Sequence, residues 1–203
     1  MKVKYLKMYG PAAVAAMALT AFLGASSASA QTMYKYTTPS ANDPIAIGTE
    51  VIATLEPGTS TIFKETFSGV TDTCTGSEIK LGIATNTTTD AGGPIHLTFT
   101  GCSHTTHVLA NGEIEFKNIA GTTNGTATLK GTRVTVNSTI FGLSCTANFG
   151  AGTAIGTFTG AKLSTARATI DVNAVITLEN GCGDATWTGS YLVTSPVGLT
   201  YDS

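Results

Sequence analysis

The residues best placed to do chemistry are four cysteines, Cys74, Cys102, Cys145 and Cys182. None forms a C-x-x-C pair, so zinc has no closely spaced thiolates to bind. An even number of cysteines in an exported chain points to disulfides. Of the three connectivities, the sequential pairs Cys74 to Cys102 and Cys145 to Cys182 are favoured, because each closes a loop within one half of the chain. A bridge from Cys74 to Cys145 stays open as an alternative. Each sequential loop would stabilise by roughly 3.5 kcal/mol on the chain-entropy account.

Other reactive side chains form weaker patterns. Ser77-Glu78-Ile79-Lys80 matches an S-x-x-K string, but Ile79, Leu81 and Ile83 put it on a strand, whereas that chemistry needs Lys one helical turn from Ser. His104-Thr105-Thr106-His107 with Cys102 gathers metal-type ligands. Residues three apart on a strand face opposite sides, so the two imidazoles could share an ion only from a loop. Glu113 and Glu115 lie on one strand face with Lys117, which reads as a charged outer face; a hydrolase would need them to converge with His107. Trp187 and Tyr191 share a face of the final strand and could stack on a sugar ring, or serve as core aromatics beside Cys182. Nucleophile-elbow, H-E-x-x-H, phosphate-loop and calcium-loop motifs are absent. The expectation is therefore no catalytic residue, no metal site and no cofactor.

The elements that must carry these residues are strands. Ile45, Ile47, Val51, Ala53 and Leu55 alternate with polar or small residues, and Pro57-Gly58 ends the run. Ala168, Ile170, Val172, Ala174, Ile176 and Leu178 alternate in the same way with Thr169, Asp171, Asn173 and Thr177. Asn111-Gly112 and Asn124-Gly125 read as hairpin turns between flanking strands. No helical stripe follows the first thirty residues, and Thr suits the open face of a sheet. Nine or ten short strands in one domain predict an all-β fold, an antiparallel β-sandwich of immunoglobulin-like or jelly-roll-like form, with a β-barrel as the alternative.

Compartment is legible at the amino end. Lys2, Lys4 and Lys7 precede an apolar run from Ala12 to Leu23, and Ala28-Ser29-Ala30 follows. This is the layout of a signal peptide over residues 1–30, cut before Gln31. Residues 31–44, with Pro39, Ser40, Asn42 and Pro44, have no period and read as a flexible leader; residues 45–203 read as a single β-sandwich domain. No membrane span is expected after cleavage. Asn86, Asn124 and Asn137 sit in N-x-[ST] sequons, which a Thr-rich chain generates by chance. Of 203 residues only 12% are charged, and 11 Lys and Arg face 13 Asp and Glu for a formal charge of −2. That leaves no basic field for nucleic acid.

Two stretches carry a resemblance. Leu143-Ser144-Cys145-Thr146-Ala147-Asn148-Phe149 and Thr157-Phe158-Thr159-Gly160 resemble the family called protein activator of alkane oxidation. The run from Cys182 to Pro196, around Trp187-Thr188-Gly189-Ser190-Tyr191, is similar to exported four-cysteine β-sandwich proteins. The resemblance implies a cell-surface or extracellular role and brings no catalytic residue.

These readings converge on an exported, non-enzymatic protein, secreted or held at the cell surface, with a matrix role that is adhesive or fibre-forming. Its partners would be further copies of itself or surface and matrix components. A carbohydrate- or ligand-binding module is the second reading and a secreted hydrolase the third. Ile45 to Leu55, behind a loose leader, is expected to be an edge strand or one donated to a neighbour.

Overall fold

The computed structural model describes residues 33–38, 41–138, 143–150, 152–162, 165–179 and 181–201. The signal-peptide reading of residues 1–30 lies outside them. From the amino side come β1 (Met33–Thr38), β2 (Ala41–Pro44), β3 (Glu50–Leu55), β4 (Thr61–Glu65), β5 (Thr71–Gly82), β6 (Thr85–Asn86) and β7 (Asp90–Cys102). The middle gives β8 (Thr105–Ala110), β9 (Glu113–Asn118), β10 (Gly125–Lys130), β11 (Thr132–Ser138), β12 (Leu143–Phe149) and β13 (Thr153–Thr159). Then follow β14 (Thr169–Thr177), β15 (Asp184–Ser195) and β16 (Leu199–Tyr201). All these elements are strands, and no helix among the described residues is long and apolar enough to cross a membrane.

The all-β expectation holds, but the main sheet does not divide into two facing layers. β3, β5, β7, β9, β10, β13, β14 and β15 pair antiparallel in that order, and β15 pairs back onto β3 to close an eight-stranded barrel. Closure depends on length. β5 and β15 have 12 residues each, enough to hold β3 at one end and β4 at the other. Ala53 of β3 lies opposite Ile79 and Val193, and Phe63 of β4 lies opposite Asp72 and Trp187. The turn at Pro57-Gly58 thus interrupts a single stave of the wall. A closed wall has no edge to protect. β3 is therefore neither an edge nor a donated strand: it begins at Glu50 and has partners from the same chain on both sides.

Alternation along the staves fills the barrel interior with side chains, as expected at eight strands. Ile170, Val172, Ala174 and Ile176 point in from β14, while Asp171, Asn173, Val175 and Thr177 point out. Trp187 is the centre of the upper core, stacked on Phe63 at 5.6 Å and met edge-on by Phe149 at 5.6 Å and Phe99 at 6.0 Å. Its indole N–H donates to Thr61 Oγ1 at 2.8 Å, and the Tyr191 hydroxyl donates to Ser77 Oγ at 3.1 Å. Thr61 and Ser77 pass their own hydroxyl protons to the carbonyls of Thr188 and Thr98. These four side chains thus have partners, which removes the desolvation penalty of leaving them bare. Gly189 makes room for this hub, since a Cβ there would sit 2.9 Å from Thr61 Oγ1.

Among the described residues there are sixteen strands, more than the nine or ten predicted, partly because long ribbons are broken by kinks. β8 runs on into β9, β10 into β11, and β12 into β13. The halves β9, β10 and β13 stay in the wall, while β8, β11 and β12 leave it as a three-stranded sheet. Asn111-Gly112 is one of the kinks and does not reverse the chain, contrary to its hairpin reading. The Asn111 side chain accepts the Leu97 N–H at 2.9 Å, and Thr132 Oγ1 donates to the Asn111 carbonyl at 2.5 Å. Gly112 has φ +66°, and a Cβ there would lie 2.2 Å from the Lys130 carbonyl. Tertiary packing claims this dipeptide before a turn can. Asn124-Gly125 does lie in a hairpin, between β9 and β10.

The predicted leader is also structured in part. β1 pairs with β2 and with β16, Met33 opposite Tyr201. Asn86 holds the segment: its amide donates to the Met33 and Ile45 carbonyls at 3.0 and 2.9 Å and accepts the Met33 N–H at 2.9 Å. Local sequence could not disclose this, because the partners lie far along the chain. The same contacts occupy the Asn86 sequon.

Two predictions follow from this packing. Asn86→Ala should lower stability by about 1–3 kcal/mol, the usual range for leaving buried backbone groups unpaired, as read from urea denaturation; an unchanged midpoint would show that Asn86 does not anchor β1. Burial holds the phenols of Tyr191 and Tyr201 above their ordinary range, with Asp90 adding to the effect at Tyr201. A raised value favours the neutral phenol in the folded state, so this stability is complete below the ordinary tyrosine range near ~10 and is lost as pH climbs beyond it. Ultraviolet titration should find both phenols silent until alkaline unfolding releases them together.

Candidate functional site

Where β8, β11 and β12 leave the wall, they are fastened over one end of the barrel. Phe149 reaches Trp187, Ala147 makes an isolated bridge with Leu178, and the Glu179 N–H donates to the Thr146 carbonyl at 2.8 Å. The Cys145–Cys182 disulfide joins β12 to the connection between β14 and β15. On the opposite face of that sheet, Glu179 accepts hydrogen bonds from Arg133 at 2.5 Å and Asn148 at 2.9 Å. The Arg133 guanidinium, with Asn148 assisting, holds the Glu179 carboxyl below the usual carboxylate range.

Between the fastened sheet and the barrel end lies a cleft of about 230 Å³ whose lining is mostly apolar. Phe63, Val136, Ala147, Ile176 and Leu178 form its walls, with the Cys145–Cys182 disulfide beside them. The lip is the turn joining β4 to β5. There the Gly69 N–H donates to the Glu65 carbonyl at 3.1 Å, and the Ser68 hydroxyl donates to the Glu65 carboxylate. Phe67 sits at the tip of this turn with 94% of its surface exposed. Together with the apolar lining behind it, this open ring extends the cleft's apolar surface to the rim.

Asp72 lies at the same cleft and is 1% exposed. Its carboxylate accepts from Ser103 Oγ at 3.0 Å, from the His104 N–H at 2.8 Å and from the Thr106 hydroxyl. Such donors offset the penalty of burying a charge. They also fix the link from β7 to β8, because all three donors belong to residues 103–106. His104 Nδ1 stands 3.7 Å from the same carboxylate.

No family model, curated protein or solved structure matches this chain. Its function is therefore argued from its own groups.

The residues singled out in the sequence are dispersed. Cys74–Cys102 and Cys145–Cys182 are both bonded, the favoured pairing. Trp187 and Tyr191 are 1% and 0% exposed, so neither ring offers a face to a sugar. His104 packs on Asp72, whereas His107 stands exposed on β8 opposite Thr135. Among the described residues, the trio within metal-binding distance is Asp72, Cys74 and Cys102. Two of its atoms are the sulfurs of one disulfide, which lack the thiolate charge a metal needs. Ser77 belongs to the Tyr191 hub, and Glu78 pairs with Lys80 at 3.2 Å. Glu115 lies between Lys130 at 2.5 Å and Lys117 at 3.5 Å. The Lys130 contact chiefly holds its carboxyl below the usual range, against what a general acid needs.

Sequence reading passed over Glu65, Phe67 and Asp72. The available signal is an aromatic residue in the turn-like run Thr66-Phe67-Ser68-Gly69. Since the Cys145–Cys182 bridge fastens the roof of the cleft, Cys145→Ser with Cys182→Ser should lower stability by about 3–4 kcal/mol on the loop-entropy account. Urea denaturation of the oxidised and doubly substituted proteins measures it, and equal midpoints would remove the bridge from the account of the cleft.

Proposed function

We propose that the chain is exported, cut before Gln31, and acts outside the cytoplasm as a non-enzymatic binding protein that holds a small apolar ligand at the barrel end. The carrying observation is the apolar cleft between the fastened sheet and the wall, with Phe67 open at its lip. An apolar concavity with a few converging polar groups is the default location for a ligand. Its volume exceeds the roughly 150 Å³ that accommodates a benzene ring, which suits a single ring or one short alkyl chain. Two disulfides are compatible with an oxidising compartment. At a cell surface or in a matrix, such a barrel would work by retention, and any adhesive role would run through the same cleft.

The test uses calorimetry with toluene and with octanol, a single ring and one short alkyl chain. Each should bind saturably to the intact protein, and each should compete with the other. Val70→Trp and Leu178→Trp, which fill the cleft from its lip and its wall, should each weaken binding at least tenfold while circular dichroism stays unchanged. Absence of saturable binding, or equal binding by both folded variants, would refute the reading.

A further inference from the structure

The cleft also carries a sign of charge. Among the described residues, its ionisable lining residues are Glu65 and Asp72, both acidic, and no described Lys, Arg or His lines it. Asp72 is already committed to Ser103, His104 and Thr106 at the inner side. Glu65 is different: its carboxylate takes the Ser68 hydroxyl, and among the described residues no cation stands within ion-pair distance of it. The nearest basic residue in sequence, Lys64, alternates to the outer face of β4 and is exposed. The neighbouring Arg133 is engaged by Glu179 on the far face of the roof. Asp184, exposed where its backbone carbonyl binds Thr66 at the lip, adds a further acidic residue to this end of the molecule.

The exposed Phe67 lines the same lip of the cleft as Glu65. An aromatic face and a carboxylate attract the same ligand group, a weakly hydrated organic cation. An apolar cavity continuing inward past Phe63 to Ile176 would take the alkyl or ring portion of such a molecule. Resting on the binding proposal above, we propose that the site selects small amphiphiles with a cationic head: the alkylammonium group lies at the lip between Glu65 and Phe67, and the apolar body fills the cleft. A fatty-acid carboxylate of the same length would meet like charge at the lip and should be disfavoured.

Three eight-carbon probes decide this by calorimetry below their micelle concentrations: octyltrimethylammonium, octanol and octanoate. The ammonium compound should bind at least about tenfold tighter than octanoate, with octanol between them, and added salt should narrow the gap. Glu65→Gln should remove most of the preference for the ammonium compound over octanoate, and Phe67→Leu should weaken the ammonium compound more than octanol. Glu65 ends β4 and Phe67 lies in the turn that follows, and circular dichroism verifies the fold of each variant. Octanoate binding as tightly as the ammonium compound, or a preference that survives Glu65→Gln, overturns the charge selection while octanol binding keeps the apolar site. Failure of all three probes overturns the site and its selectivity together.

Discussion

Continuous backbone pairing around the wall is the constraint on which the rest of the molecule depends. A sheet of this size closes only if no strand lacks a partner, and here closure rests on β5 and β15 being long enough to seat two strands end to end. Once the ring is shut, the inward side of every stave is sealed from water, so alternation alone decides what becomes core. Side chains fill the interior, with Trp187, Tyr191, Phe116 and Phe158 all fully buried. The cleft opens at the barrel end, where strands outrun the ring. Three ribbons do so, and the space beneath their overhang is the cleft.

That dependence explains which features could be read from sequence. The alternation of β14 was plain because each of its residues answers to one side of one sheet. The disulfide pairs were legible because each closes a loop within a half of the chain. Asn111-Gly112 misled because a dipeptide that favours a tight turn equally satisfies a kink, and here Leu97 and Thr132 hold it in that shape. β1 was missed because its support comes from Asn86 and β16, not from its own pattern. Barrel and sandwich share the same period, and what separates them is the pairing of β15 with β3, which no local window contains. The cleft was illegible for the same reason: its walls come from five separate stretches of chain.

Buried polar residues do two kinds of work here. Thr61 and Ser77 satisfy aromatic donors inside the wall, fixing Trp187 and Tyr191 in one arrangement. Asp72 gathers the connection that launches the overhanging ribbon. An apolar replacement of similar size at Asp72 would leave the Ser103, His104 and Thr106 donors without their acceptor. In this respect the carboxylate acts as a positional device for a loop, and the shape of the cleft is downstream of it.

The pairing of β1 with β16 has a kinetic meaning. A chain is made from its amino end, so Met33 is complete long before Tyr201, its partner across the sheet, has been joined. The wall has the same delay, because β3 cannot be flanked on both sides until β15 exists. Contacts of such high sequence separation fold slowly and late. The nascent polypeptide therefore cannot close the barrel until β15 has been made.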